Sequence, residues 1–137
     1  MRHDPREFYP DQMKTIVSTP TAPASPLFSQ GVRVGPLLFV SGMTGTDLGA
    51  GGLAGPTIQE QTRQALANCL EVVEAAGGTR ADIAQVTVLL ARPEGFAGMN
   101  EAYGEFFPSE PPARAVAKLG VELPGVLVSI MLTAHIA

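Results

Sequence analysis

"PPARAVAKLGVELPGVLVSIML", residues 111–132, carries the two apolar segments that predict the last strands of the chain. The segments extend over about residues 114–120 and 126–136. The second is a continuous apolar run rather than an alternation of apolar and polar residues. Such a run is typical of a strand that is buried on both faces. One cation, Arg114, opens the first segment directly after two prolines and an alanine.

The residues upstream predict four more strands and two helices. The strands are expected at residues 13–18, 29–34, 37–43 and 84–91. Gly35-Pro36 separates the second and third of these, which therefore read as a hairpin. The glycine-rich residues 48–56 are predicted to be a loop, because they lack the Gly-Lys-Ser/Thr ending of a phosphate-binding loop.

Capping signals define the two helices. Thr57 and Glu60 form a capping-box pattern that starts the first helix, and Gly77-Gly78 end it. Pro93 opens the second helix. Its spacing predicts one shared face for four side chains: Phe96, Met99, Tyr103 and Phe106. The order β, β hairpin, α, β, α, β, β predicts an α+β fold with one mixed six-stranded sheet.

Two helices can cover only one face of that sheet. The apolar runs of residues 37–40, 86–91 and 126–132 nevertheless resemble strands that are buried on both faces. We therefore expect the uncovered face to pack against other copies of the chain. A monomer with a solvated face is the alternative.

Arg114 has no acidic residue within three positions, so a local ion pair does not account for it. At a sheet end near such an interface, we expect its side chain to be partly buried. A guanidinium held there suits a carboxylate ligand, because the two groups form two parallel hydrogen bonds. Pairing with Glu101 or Glu122 across a subunit interface is the alternative, and the residues alone do not decide between them.

Composition and charge exclude several function classes. The chain has 137 residues, nine Lys and Arg against thirteen Asp and Glu, and a formal net charge of -4. The basic residues are scattered, so no nucleic-acid surface is predicted. Cys69 lies on the apolar stripe of the first helix and is expected in the core. His3 and His135 are too far apart in the sequence to predict a metal site.

No apolar stretch reaches the roughly 18 residues of a membrane span. Residues 1–12 lack the apolar core of a signal peptide and are expected to form a flexible extension. These observations predict one domain in a soluble, cytoplasmic protein.

Four segments resemble the RidA proteins, also called the YjgF or L-PSP family. They are FSQGVRVGPLLFVSG (28–42), EQTRQALANCLEVVEAAG (60–77), MNEAYGEFF (99–107), and PPARAV (111–116) with Leu123-Pro124-Gly125. The resemblance implies a single RidA-like domain at residues 13–137, a chorismate mutase-like fold, and a homotrimer with a ligand cleft at each subunit boundary. It also implies hydrolysis of reactive imines and enamines to a 2-oxo acid and ammonia, without a metal or an organic cofactor.

The same resemblance implies roles for individual residues. Arg114 would be the catalytic residue that binds the carboxylate of an imino acid or a related small acid. The remaining pocket residues would be Ser41 and Gly42, Asn100, and the backbone groups of Ala115 and Val116. Without the resemblance, Ser41 reads as a strand-end hydroxyl bonded to nearby backbone, and Asn100 as a solvated helix residue.

The chain departs from the family pattern at three pocket positions. Phe28 replaces the usual tyrosine, and Val116 replaces a common cysteine. Met131 replaces the glutamate that is thought to position the attacking water, and His135 is the only other candidate base. Two functions are therefore weighed: a slow or specialised imine deaminase, and a non-catalytic protein that binds small carboxylates such as 2-oxo acids. The charge balance disfavours the ribonuclease activity attached to some relatives.

Overall fold

The computed structural model describes residues 13–137, so the predicted extension at residues 1–12 lies outside the described part. The strands are β1 Lys14–Val17, β2 Gly31–Val34, β3 Leu37–Thr44, β4 Thr46–Asp47, β5 Gly52–Leu53, β6 Ile83–Leu90, β7 Ala113–Lys118 and β8 Val128–His135. The helices are α1 Ile58–Ala75 and α2 Phe96–Phe106. Short 3-10 turns precede β6 and α2.

Six strands form one mixed sheet in the order β1-β2-β3-β8-β6-β7. The predicted hairpin is confirmed, and Gly35 makes its turn with a φ of 58°, a left-handed conformation that glycine adopts at little cost. β6 and β7 are parallel, because the connection through α2 carries the chain from the end of β6 back to the end of the sheet where β6 begins. All other neighbouring strands of this sheet are antiparallel. β7 is an edge strand.

α1 packs across one face of the sheet. The predicted capping box is present: the side chain of Thr57 accepts a hydrogen bond from the backbone of Glu60, and Glu60 accepts one from the backbone of Thr57. The helix face toward the sheet is fully buried, as are alternate residues of the strands beneath it. The fold is therefore α+β, with both helices packed on one face of a mixed sheet, as predicted.

The opposite face of the sheet, which we call the open face, has no covering layer within residues 13–137. Leu37, Phe39 and Met131 point to it and are 40 %, 46 % and 45 % exposed. In a single chain the strands are thus buried on one face only. The apolar character of the second face, which predicted burial, remains in contact with solvent.

Two local predictions differ from the structure. The glycine-rich loop contains a short hairpin, in which β4 and β5 pair antiparallel with Thr46 opposite Leu53. Phe96, in the first turn of α2, does not join the buried face of the helix, where Met99 and Tyr103 lie, and is 46 % exposed.

The buried side chain of Gln61 holds neighbouring loops to the start of α1. Gln61 of α1 donates to the carbonyls of Gly55 and Gly125 at 3.0 and 2.9 Å, and its amide oxygen accepts from the backbone of Leu127 at 2.9 Å. Two loops, the one before α1 and the one between β7 and β8, are thereby fixed to the start of α1. Among residues 13–137, neither helix is long and apolar enough to cross a membrane.

Candidate functional site

Arg114 lies on β7 with its side chain on the helix side of the sheet. Its register partner Val86 points into the core on that side, whereas the Arg114 side chain reaches α2. Nη1 donates to Oδ1 of Asn100 at 2.7 Å, and the guanidinium carbon lies 4.7 Å from the centroid of the Tyr103 ring. Asn100 and Tyr103 together therefore orient the guanidinium by a hydrogen bond and a cation–π contact.

Arg114 is exposed in the single chain, and its predicted partial burial near an interface between copies stays a prediction. The residue is exposed because it lies on an edge strand, where nothing within residues 13–137 covers it. No carboxylate in this range pairs with it either, since the one ion pair joins Arg63 to Glu105. The guanidinium is oriented but not neutralised, which leaves donors available to an anion.

The Tyr103 ring that contacts the guanidinium is neutral. Burial raises the pKa of Tyr103, and the positive charge of Arg114 lowers it by a smaller amount. The phenol therefore stays protonated at neutral pH, and it does not form a charged pair with Arg114. Its hydroxyl is buried and has no hydrogen-bond partner within the described residues.

Ser41 and Gly42 form a bulge in β3. The register with β8 shifts between Val40 and Met43, so both bulge residues lie opposite Met131. The backbone N–H of Ser41 donates to the carbonyl of Gln30 at 2.9 Å, and its hydroxyl donates to the carbonyl of Ser29 at 2.5 Å. The Ser41 proton is thus used within the chain, and toward a ligand this hydroxyl can only accept.

Phe28 and Gln30 flank the carbonyl that holds Ser41. Phe28 is 42 % exposed. Gln30 is buried; its amide oxygen accepts from the backbone of Thr19 at 2.7 Å, and its amide nitrogen donates to the carbonyl of Ala22 at 2.8 Å. Gln30 therefore fixes the proline-rich segment behind the bulge. Sequence reasoning missed this residue, because a single glutamine before a strand carries no pattern.

Met131 faces the open side of the sheet. It pairs with Thr87 of β6, and Thr87 pairs with Ala115 of β7. We call this line of paired residues, from the bulge through Met131 and Thr87 to Ala115, the row. It has no ionisable side chain. His135 points to the same face, but it lies four residues along β8, about 13 Å from Met131 at the usual rise per residue.

The predicted site residues fall into two groups within one chain. Arg114, Asn100 and Val116 lie on the helix side near β7, whereas Ser41, Gly42 and Met131 lie at the open face. β3 and β7 are three strand spacings apart in the sheet, or about 14 Å. A small ligand cannot contact both groups of one copy at the same time.

Neither Cys69 nor a cluster of metal ligands in residues 13–137 belongs to the two groups of predicted site residues. Burial raises the pKa of Cys69 to about 12, and the thiol donates to the carbonyl of Ile130 at 3.4 Å in the core. It is therefore a packed thiol, as predicted, and not a nucleophile. Within residues 13–137, no group of three or more His, Cys, Asp and Glu side chains is gathered as a metal site would need.

Comparison with known proteins gives a consistent result. Residues 19–136 match the family model described as endoribonuclease L-PSP. A RutC family protein of Pyrococcus horikoshii is 36 % identical over 125 residues, which cover 90 % of this chain and 98 % of that protein.

Solved structures show the same similarity. A putative endoribonuclease L-PSP from Entamoeba histolytica superposes with a TM-score of 0.85 at 34 % identity, covering 90 % of this chain and all of the other. TdcF of E. coli, solved with bound serine, gives a TM-score of 0.83 at 30 % identity, covering 90 % of this chain and all of the other.

Proposed function

The chain belongs to the L-PSP family, which is also called RidA, and from that premise we propose that it is a slow or specialised 2-imino acid deaminase. Water adds to the C=N carbon of a 2-imino acid, or of the enamine that tautomerises to it. The resulting tetrahedral intermediate expels ammonia and leaves a 2-oxo acid. The carbon keeps its oxidation state, so the reaction needs no redox partner.

One observation carries this proposal: the guanidinium of Arg114 is oriented by Asn100 at 2.7 Å and by the Tyr103 ring at 4.7 Å, without a carboxylate partner in residues 13–137. Such a group binds a carboxylate through charge-assisted hydrogen bonds without first breaking an ion pair. The anchor positions the imine carbon of a 2-imino acid one bond away from the bound carboxylate. TdcF, with its bound serine, supports a ligand of this size that carries an α-carboxylate.

The proposed site lies between neighbouring copies of a homotrimer. Arg114 and Asn100 of one copy would face Phe28, Ser41, Gly42 and Met131 of the next. This arrangement accounts for the separation of about 14 Å between β3 and β7 within one copy. It would also cover the open face, where Phe39 is 46 % exposed.

The attacking water would lack a carboxylate base, because Met131 stands on the row opposite the bulge. A thioether cannot accept the proton of water, and loss of such a general base costs on the order of a hundredfold in rate. Backbone carbonyls near Ala115 and Val116 would orient the water, and the positive charge of a protonated imine would activate its carbon. The proposal therefore predicts turnover, but at a low rate.

Met131 also favours a second candidate function, which is binding of a small carboxylate without turnover. In that case Arg114 still anchors the acid, and the apolar row provides a non-reactive wall. A 2-oxo acid, the product in the first function, would be the bound ligand in the second.

Calorimetric titration with 2-oxobutanoate tests the anchor that both functions share. Arg114→Ala removes a charge-assisted pair, so we expect about a ten- to hundredfold loss of affinity. Arg63→Ala is the matched control, because it removes an exposed arginine of α1 that pairs with Glu105. Equal affinity of wild type and Arg114→Ala, or equal binding of the neutral 2-oxobutanamide, would contradict the proposal.

A further inference from the structure

We call the space between β7 and α2, beside Arg114, the groove. Its walls are the helix side of β7, where Arg114, Val116 and Lys118 alternate, and the α2 residues Phe96 and Asn100, one helical turn apart. The part of the groove next to Val116 and Phe96 is a cavity of about 570 Å³. The cavity is lined by Leu90, Pro93, Phe96, Val116, Ala117 and Lys118. It begins two residues from the anchoring arginine.

The walls of this cavity are mainly apolar. Phe96 is 46 % exposed beside it, and Leu90 is buried beneath. Val116 adds a branched side chain, and the methylene stem of Lys118 adds apolar surface at the far end. A carboxylate bound to Arg114 therefore has room to extend its organic body toward Phe96, where an aromatic ring or a branched chain would leave water.

Lys118 places a second cation at the far end of the groove. Lys118 lies four positions along β7 from Arg114, so their Cα atoms are about 13 Å apart. Both side chains leave β7 on the same side. Both side chains are long, so their charged ends can lie closer together than the Cα atoms and can hold the two carboxylates of a para-substituted aromatic diacid. No carboxylate of residues 13–137 forms an ion pair with Lys118.

We propose that this groove is a subsite for the body of the acid that Arg114 anchors, and that Lys118 selects acids with a second anionic group at the far end. The proposal rests on the proposed function, because it needs Arg114 as the carboxylate anchor. It narrows the substrate class from small acids in general to aromatic or extended apolar acids with two anionic ends. It also assigns binding roles to Phe96 and Lys118.

Competition between two ligands of the same shape tests the role of Lys118. Terephthalate and 4-methylbenzoate differ in one end, which is a carboxylate in the first and a methyl group in the second. In calorimetry on the full chain, we expect wild type to bind terephthalate roughly two- to fivefold more tightly, since an exposed ion pair is weak. Lys118→Met keeps the apolar stem and should bring this ratio to about one.

Two further variants complete the test. Lys14→Met makes the same charge change on β1 and should leave the ratio as in wild type. Phe96→Ala should weaken both aromatic acids by roughly three- to tenfold. It should leave the affinity for 2-oxobutanoate, which is too short to reach Phe96, unchanged.

The outcomes separate the subsite from the anchor. A terephthalate preference that survives Lys118→Met, or aromatic acids that bind Phe96→Ala as well as wild type, would overturn the subsite. So would failure of both aromatic acids to bind wild type while 2-oxobutanoate binds through Arg114, because a neighbouring copy or another segment would then fill the groove. If Arg114→Ala leaves all affinities unchanged, the proposed function itself fails.

Discussion

The arginines of the described chain differ in what satisfies their donors. Arg33 donates to the carbonyls of Gly35, Ala76 and Ile136, and so ties the hairpin turn and the end of α1 to the last strand. Arg63 pairs with the carboxylate of Glu105. In this range Arg114 contacts a neutral amide oxygen, an aromatic ring and the sulfur of Met99, and no carboxylate pairs with it. The difference supports a ligand role for Arg114 and a structural role for Arg33.

Met131→Glu should raise imine hydrolysis from the low rate of the wild type, because a carboxylate opposite the bulge can accept a proton from water. Met131→Gln is the control of similar shape that cannot do so. If the assembly buries the new carboxylate, its pKa is raised and it gains its charge only at higher pH. The gain should then grow as pH rises through that pKa. Equal ammonia release by the Glu and Gln variants over the whole pH range would show that residue 131 does not face the attacking water.

At the residue scale, the sequence indicated Arg114 because no acid stands near it, and the contacts with Asn100 and Tyr103 agree with an oriented guanidinium. Its predicted partial burial stays a prediction, since burial at an edge strand depends on what lies beyond the chain. The hydrogen bond from Ser41 to Ser29 was one of two open alternatives, and a ligand role for Ser41 stays a prediction. Gln30 gave no signal, because its partners are backbone groups of a loop.

At the scale of elements, β3 passes over the first turn of α1 at Gly45 without room for a side chain. A Cβ atom at Gly45 would lie 2.5 Å from the carbonyl oxygen and 2.6 Å from the Cα of Gln61. Those atoms belong to a helix backbone, so they cannot rotate away. The close approach keeps Gln61 in position to hold the loop before α1 and the loop between β7 and β8.

Gly45→Ala should therefore lower the free energy of unfolding by about 1 to 3 kcal/mol, the usual cost of overpacking. Gly104→Ala is the control, because Gly104 is exposed in α2 and an added Cβ would meet nothing within 4 Å. That change should stabilise the protein by about 0.5 to 1 kcal/mol. Urea unfolding at one fixed protein concentration measures both. A Gly45→Ala midpoint at or above that of wild type would contradict the close contact.

Elements with local signals were predictable from the sequence. The capping box of Thr57 and Glu60 and the turn at Gly35 depend on residues within four positions, so their patterns are visible in the chain. The bulge at Ser41-Gly42 and the small hairpin of β4 and β5 were not predicted. Both depend on distant partners: Ser41 on the Gln30 carbonyl, and the start of the hairpin on the side-chain amide of Asn68, which donates to the carbonyls of Thr44 and Thr46.

At the scale of the whole molecule, the open face was predictable from the sequence. The sequence predicts two helices and six strands, and two helices can cover only one face of such a sheet. The apolar side chains of the open face are clustered on β3 and β8, where Phe39 and Met131 are both more than 40 % exposed. Such a surface on one chain is typical of an interface. The number of copies depends on interface geometry, which no pattern along the chain contains.

We expect a homotrimer, with three times the 14.3 kDa mass of one chain, in gel filtration coupled to light scattering. Phe39→Glu places a charge on the open face and should shift the protein toward smaller species. Leu48→Glu is the control, because Leu48 is 49 % exposed on the short hairpin and does not face that surface. A wild-type monomer at micromolar concentration would contradict both the assembly and a site between copies.

Ammonia release from freshly generated 2-iminobutanoate tests the central claim most directly, because it measures anchoring by Arg114 and turnover in one assay. We predict that wild type accelerates hydrolysis above the rate in buffer, and that Arg114→Ala loses about ten- to a hundredfold of that acceleration. Acceleration of equal size in wild type and Arg114→Ala would contradict the assigned site. A wild-type rate equal to that in buffer would contradict the deaminase and leave the carboxylate-binding function.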